Sequence, residues 1–97
     1  MNKYLRFKEV KSSHAGIEKF GISFVNFSLV QNLTIHWDEQ YSRARLEFKI
    51  YQSEGYFESR VFYKKFDSEK YFIFWKKELA DFKKNESMYF DLGSSDQ

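Results

Sequence analysis

Cysteine and proline are absent from this 97-residue chain, and glycine occurs four times. Without thiols there is no disulfide and no thiolate zinc site, and a reducing compartment is the expected home. Stability has to come from non-covalent packing. With so little glycine and no proline, turns fall to Asn, Asp, Ser, Gln and Glu. Long apolar runs are missing as well: the longest, Tyr71–Trp75, is far shorter than the ~20 residues that span a bilayer. The first eight residues mix charge with apolar side chains, unlike a secretory signal. A strong charge bias is also lacking, since 16 basic and 14 acidic residues leave a net charge of +2. The expectation is a cytoplasmic protein without membrane contact, one domain over residues 1–97, with 93–97 as a frayed tail.

What the chain has in quantity is aromatic area: twelve Phe, seven Tyr and two Trp. Each large apolar side chain contributes roughly 1.5–3 kcal/mol when buried, and aromatics carry the most area. Their spacing is dominated by period 2, the pattern of strands with one wet and one buried face. Ala44–Ile50 alternates apolar and charged residues without a fault, Leu33–Trp37 and Val25–Leu29 alternate too, and Phe57–Tyr63 does so more loosely. A first strand is expected at about Tyr4–Val10, followed by a loop at Ser12–Gly16.

Loop lengths then set a register. A three-residue loop, Val30–Asn32, pairs Val25–Leu29 with Leu33–Trp37, with Asn32 as its left-handed residue. A four-residue loop, Asp38–Tyr41, sets Ile35 opposite Ala44. Another, Gln52–Gly55, sets Leu46 opposite Val61 and Ile50 opposite Phe57, with Gly55 free to take positive φ. That register matches Lys49 with Glu58 and Glu47 with Arg60 on the wet face. The expected core is Val25, Phe27, Leu29, Leu33, Ile35, Trp37, Leu46, Phe48, Ile50 and Val61.

The period then changes. Asp67 or Ser68 can cap a helix, after which Phe72, Trp75, Leu79 and Phe82 form one apolar stripe. Lys76, Lys77, Lys83 and Lys84 lie on the other side, and Asn85 can end it. Tyr71–Trp75 as a buried strand is the competing reading. Met88–Leu92 alternates as a last strand. The fold class is α+β: an antiparallel β-meander of four to six strands with one amphipathic helix, about 68–84, packed on one face.

Chemistry is hard to find in this chain. His14 and His36 are the only histidines, and no spacing brings them to a shared metal with carboxylates. The Ser12-Ser13-His14 run lacks a nucleophile elbow, and no Gly-rich phosphate loop occurs. Glu47 and Glu58 each face a basic partner in the register, which lowers a carboxyl pKa and argues against acid–base work. No enzyme activity, metal or cofactor is expected.

The wet sheet face offers the one constellation of interest. The register aligns Asn26, His36, Arg43 and Lys64 in one row and Ser28, Thr34, Arg45 and Phe62 in the next. Such a basic patch with an aromatic could dock an acidic protein surface or stack and neutralise a single-stranded nucleic acid. It could equally be an ordinary solvated face, with Phe62 covered by the N-terminal strand. Tyr41, Tyr51 and Tyr56 at the loop ends are further contact candidates. An open edge strand could pair two copies.

Residues 43–92, with the Asp67–Phe82 segment whose Phe72 and Trp75 are aromatic and Leu79 aliphatic, followed by the strand Met88–Leu92, resemble small bacterial immunity proteins of polymorphic and contact-dependent toxin systems. The resemblance implies non-catalytic, stoichiometric inhibition of a partner. In composition the chain is similar to phage proteins that block host defences, anti-CRISPR proteins among them. The resulting expectation is a protein-binding inhibitor of a larger partner, a toxin or a nuclease or defence complex, using Arg43, Arg45, Phe62 and Lys64, with His36, Tyr41, Tyr51 and Tyr56 at the margins. A nucleic-acid-binding module on the same face is the alternative.

Overall fold

A computed structural model describes residues 2–14 and 16–95, and for 9–14 and 17–20 the main chain alone. Among the described residues the order is β1 (Tyr4–His14), β2 (Ile17–Asn26), a 3-10 turn (Phe27–Leu29), β3 (Val30–Asp38), β4 (Arg43–Ser53), β5 (Tyr56–Lys65), α1 (Glu69–Phe82) and β6 (Tyr89–Ser94). The strands form two three-stranded sheets: sheet I in the order β2-β1-β6 and sheet II in the order β3-β4-β5. The α+β class stands, with the antiparallel meander in sheet II and the helix on the core side. No described helix is long and apolar enough to cross a membrane.

Local chemistry explains the joints. Gly55 takes φ +76° in the β4–β5 turn, as its place in that loop requires. Ser68 precedes the helix in extended backbone and gives its carbonyl, not its side chain, to the first turn. The helix buries Phe72, Trp75, Leu79 and Phe82, the stripe the spacing predicts. Its far end is fixed from a distance. Lys3 Nζ donates to the Asn85 and Ser87 carbonyls at 2.6 and 2.7 Å, and sits 4.5 Å from the centroid of the Phe82 ring. A cation suits that end of a helix dipole.

One apolar core joins both sheets and the helix: Leu5 and Phe7 from β1, Leu92 from β6, Ala44, Leu46, Phe48 and Ile50 from β4, Phe62 from β5, and the helical stripe. Aromatic contacts run through it. Trp37 stacks on Phe72 at 5.1 Å, and Phe27 meets Phe82 edge-on at 5.8 Å. Phe7 meets Phe62 edge-on at 5.9 Å, joining the two sheets. Such pairs contribute about 0.5–1.5 kcal/mol beyond the area they bury.

Several expectations give way here. Val25–Leu29 is not a strand of the meander. Val25 pairs with Leu5 in sheet I, and Phe27–Leu29 turns the chain from one sheet to the other. Asn26 holds that turn by accepting hydrogen bonds from Ser28 N and Oγ at 3.0 and 2.8 Å. Asn32 does take positive φ, but inside β3, where the register shifts. The β3–β4 turn lies one residue later than expected, so Ile35 faces Leu46, not Ala44. At the end of β4 a register shift between Tyr51 and Ser53 moves the pairing with β5 by one residue, so Leu46 faces Phe62. Phe62 is therefore 4 % exposed and Val61 43 % exposed, the reverse of the expected assignment. Leu29 is also exposed rather than core.

The chain ends differ as well. β1 continues through Ser12–His14, where a loop is expected. Gly93 and Ser94 belong to β6, and Ser95 Oγ accepts from Tyr63 N at 3.1 Å, where a frayed tail is expected. Residues 96–97, and the side chain of His14, lie outside the described residues.

Candidate functional site

The outward face of sheet II follows from the observed register. Its cross-strand pairs on β4 and β5 are Arg43–Lys65, Arg45–Tyr63, Glu47–Val61, Lys49–Ser59 and Tyr51–Phe57. β3 adds Asp38 beside Arg43, His36 beside Arg45 and Thr34 beside Glu47. Strand alternation alone puts these side chains on one side, because the buried positions of β4 are Ala44, Leu46, Phe48 and Ile50.

Arg43 stands at one end of this face, on the central strand, between the last residues of β3 and β5. Its guanidinium carbon lies 4.1 Å from the centroid of the Tyr63 ring and 4.7 Å from that of Tyr41, and its Nε is 3.5 Å from Asp38 Oδ2. Each ring contact is worth about 0.5–1 kcal/mol at a partly exposed site. Arg45 donates through Nε to the Tyr63 hydroxyl at 3.4 Å and is ion-paired with Glu47. The bond to Tyr63 holds the Arg45 guanidinium above its ordinary pKa; desolvation opposes it and Glu47 adds to it. Tyr63 thus supports both arginines, one by its ring face and the other by its hydroxyl.

Beyond this cluster apolar residues share the face with Glu47, Lys49 and Ser59. Val61 is exposed, and Tyr51 meets Phe57 edge-on at 5.6 Å near the β4–β5 turn, both of them also exposed. Tyr56 extends the patch at the turn itself.

Of the eight expected contact residues, Arg43, Arg45, His36, Tyr41, Tyr51 and Tyr56 lie on this face or at its turns. Phe62 and Lys64 do not. The expected register places both on this face, and the observed β4–β5 pairing differs from it by one residue. Phe62 packs on Phe7 in the core, and Lys64 Nζ reaches across to the Leu92 carbonyl at 3.2 Å. The expected ion pairs across β4 and β5 are also replaced. Glu47 pairs along its own strand with Arg45, and Glu58 with Arg60 at 2.6 Å.

Tyr63, Asp38, Phe57 and Val61 are the members of the face that spacing did not reveal. For the three on β5 the signal is the alternation Phe57, Val61, Tyr63, Lys65, readable only once the shift at the β4–β5 turn is known; Asp38 joins the face because the β3–β4 turn starts one residue later. Among the described residues no group of three His, Asp or Glu side chains comes close enough to hold a metal ion. Comparison with protein-family models, with curated proteins and with solved structures found no match.

Proposed function

We propose that this protein is a cytoplasmic, non-catalytic inhibitor that binds a larger protein, such as a toxin or a nuclease or defence complex, and covers a working surface of it. The observation that carries this reading is Arg43 held between Tyr41 and Tyr63 on the central strand, at one end of the outward face of sheet II. Arginine and tyrosine are the side chains most often found as anchors at protein interfaces. An arginine already fixed by two rings loses little rotamer entropy on binding, which favours affinity. The exposed Val61, and Tyr51, Phe57 and Tyr56 at the far end of the same face, add apolar area. Immunity proteins and anti-CRISPR proteins are the functional types this fits.

The same face supports nucleic-acid binding less well. Arg43 and Arg45 each lie against a carboxylate, Asp38 and Glu47, so a phosphate would compete with a charge already in place. The test begins with capture of the partner from the native host and its identification by mass spectrometry. Calorimetry then compares the wild-type chain with the Arg43→Glu/Arg45→Glu variant, its fold verified by circular dichroism. Loss of an anchor of about 2 kcal/mol weakens binding roughly thirtyfold. Unchanged affinity removes this face from the interface. Retention of an oligonucleotide that falls steeply with salt would replace the reading with the nucleic-acid one.

A further inference from the structure

The last turns of α1 and the start of β6 enclose a cavity of about 360 Å³, within the size range of sites that hold small groups. Its apolar wall is aromatic, made of the buried Phe82 with Phe90 and Tyr89. Glu78 and Asp81 line it from the helix, and spaced three apart they share one flank of α1. Neither carboxylate makes an ion pair among the described residues.

The chain's own Lys3 shows what this end of the helix attracts. Its ammonium sits against the ring of Phe82 and donates to the carbonyls of Asn85 and Ser87, which also line the cavity. Lys3 is spent on carbonyls, so it leaves Glu78 and Asp81 unpaired. The free carbonyls at a helix C-terminus add to the negative potential there. A group that fits this space has a cationic head for two carboxylates and an apolar stem for the rings. Lysine and arginine side chains have that form, and a cation gains further from an aromatic face.

The mouth of the cavity favours a side chain carried by a protein over a free amine. Met88 and Tyr89 are 58 % and 57 % exposed, and the equally open Phe24 meets Tyr89 edge-on at 6.4 Å. A small amine leaves this apolar area bare, whereas a protein surface covers it.

We propose that the cavity between α1 and β6 receives a lysine or arginine side chain of another protein, Glu78 and Asp81 binding its charge and Phe82, Tyr89 and Phe90 its stem. The site uses no residue of the outward face of sheet II and does not depend on the function proposed for that face.

The test is an NMR titration of the isotope-labelled chain with short peptides. One carries a central lysine between two leucines, a second has arginine in its place, and a third has Nε-acetyl-lysine. The lysine or arginine peptide is expected to bind in the millimolar range and to shift the amides of Asp81, Phe82, Tyr89 and Phe90 along saturable curves. Acetyl-lysine keeps the stem and loses the charge, and should bind at least about tenfold more weakly. The Glu78→Gln/Asp81→Asn variant should lose binding of the charged peptides to the same degree. Both positions are exposed, and circular dichroism verifies the fold. Should the variant fail to fold, the acetyl-lysine comparison on the wild-type chain decides alone. No saturable shift at these amides with either charged peptide, equal binding of the acetylated one, or a folded variant that binds like the wild type would overturn the proposal. Butylammonium bound as tightly as the lysine peptide would assign the cavity to free amines and overturn the protein partner.

Discussion

In sheet II each strand pairs with the next one in the chain, across short turns. In sheet I, β1 pairs with β2 in the same local way but also lies parallel to β6, where the Arg6–Asp91 contact spans 85 residues. The two sheets share a core and a strand count, yet their pairings carry different entropic costs. A short turn restricts few residues, while the β1–β6 pairing closes most of the chain. Parallel neighbours also require a crossover, supplied here by the rest of the protein. The difference teaches that sheet I depends on sheet II and the helix to hold its far partner in place, whereas sheet II draws its pairing from its own turns.

The most severe way to break this arrangement is at the residue that joins the sheets. Phe62→Ala should cost about 3–5 kcal/mol in urea unfolding, as a core aromatic does, while Val61→Ala next to it should stay within about 0.5 kcal/mol. Equal effects at the two positions would contradict the observed β5 register. A second comparison uses one leucine from each sheet. Leu46→Ala and Leu92→Ala should each cost about 2–5 kcal/mol but divide it differently in stopped-flow kinetics. Leu46, within local pairings, should mainly slow folding; Leu92, within the long-range one, should mainly speed unfolding. The smallest effect belongs to the exposed Arg6–Asp91 pair, 3.0 Å apart. A double-mutant cycle there should give at most about 1 kcal/mol, falling as salt is added.

The same division governs how much of the molecule could be read from its sequence. The helix was legible because Phe72, Trp75, Leu79 and Phe82 have nothing else to do at that spacing. β4 was legible because Ala44–Ile50 alternates strictly, and so was the left-handed Gly55. β5 was not. Val61, Phe62 and Tyr63 are apolar or aromatic in succession, so either face could be the buried one, and the shift at Tyr51–Ser53 settles which. That one step carried Phe62 and Lys64 onto the candidate site and left Tyr63 out. Val25–Leu29 misled for another reason. Its alternation is real, but half of it serves sheet I and the rest is a 3-10 turn closed by Asn26. The parallel pairing of β1 with β6 leaves no local trace, since period 2 tells that a segment is a strand and not which strand it meets.

The 85 residues between Arg6 and Asp91 also have a meaning in time. A ribosome adding about 5–20 residues per second needs roughly 4–17 s to cover that distance. Until the end of that interval β6 has not been made, so the β6-facing side of β1 waits for its complement. In the cell, the chain's exposure to wrong partners is then set by translation speed and chaperone supply, whatever the finished protein's stability.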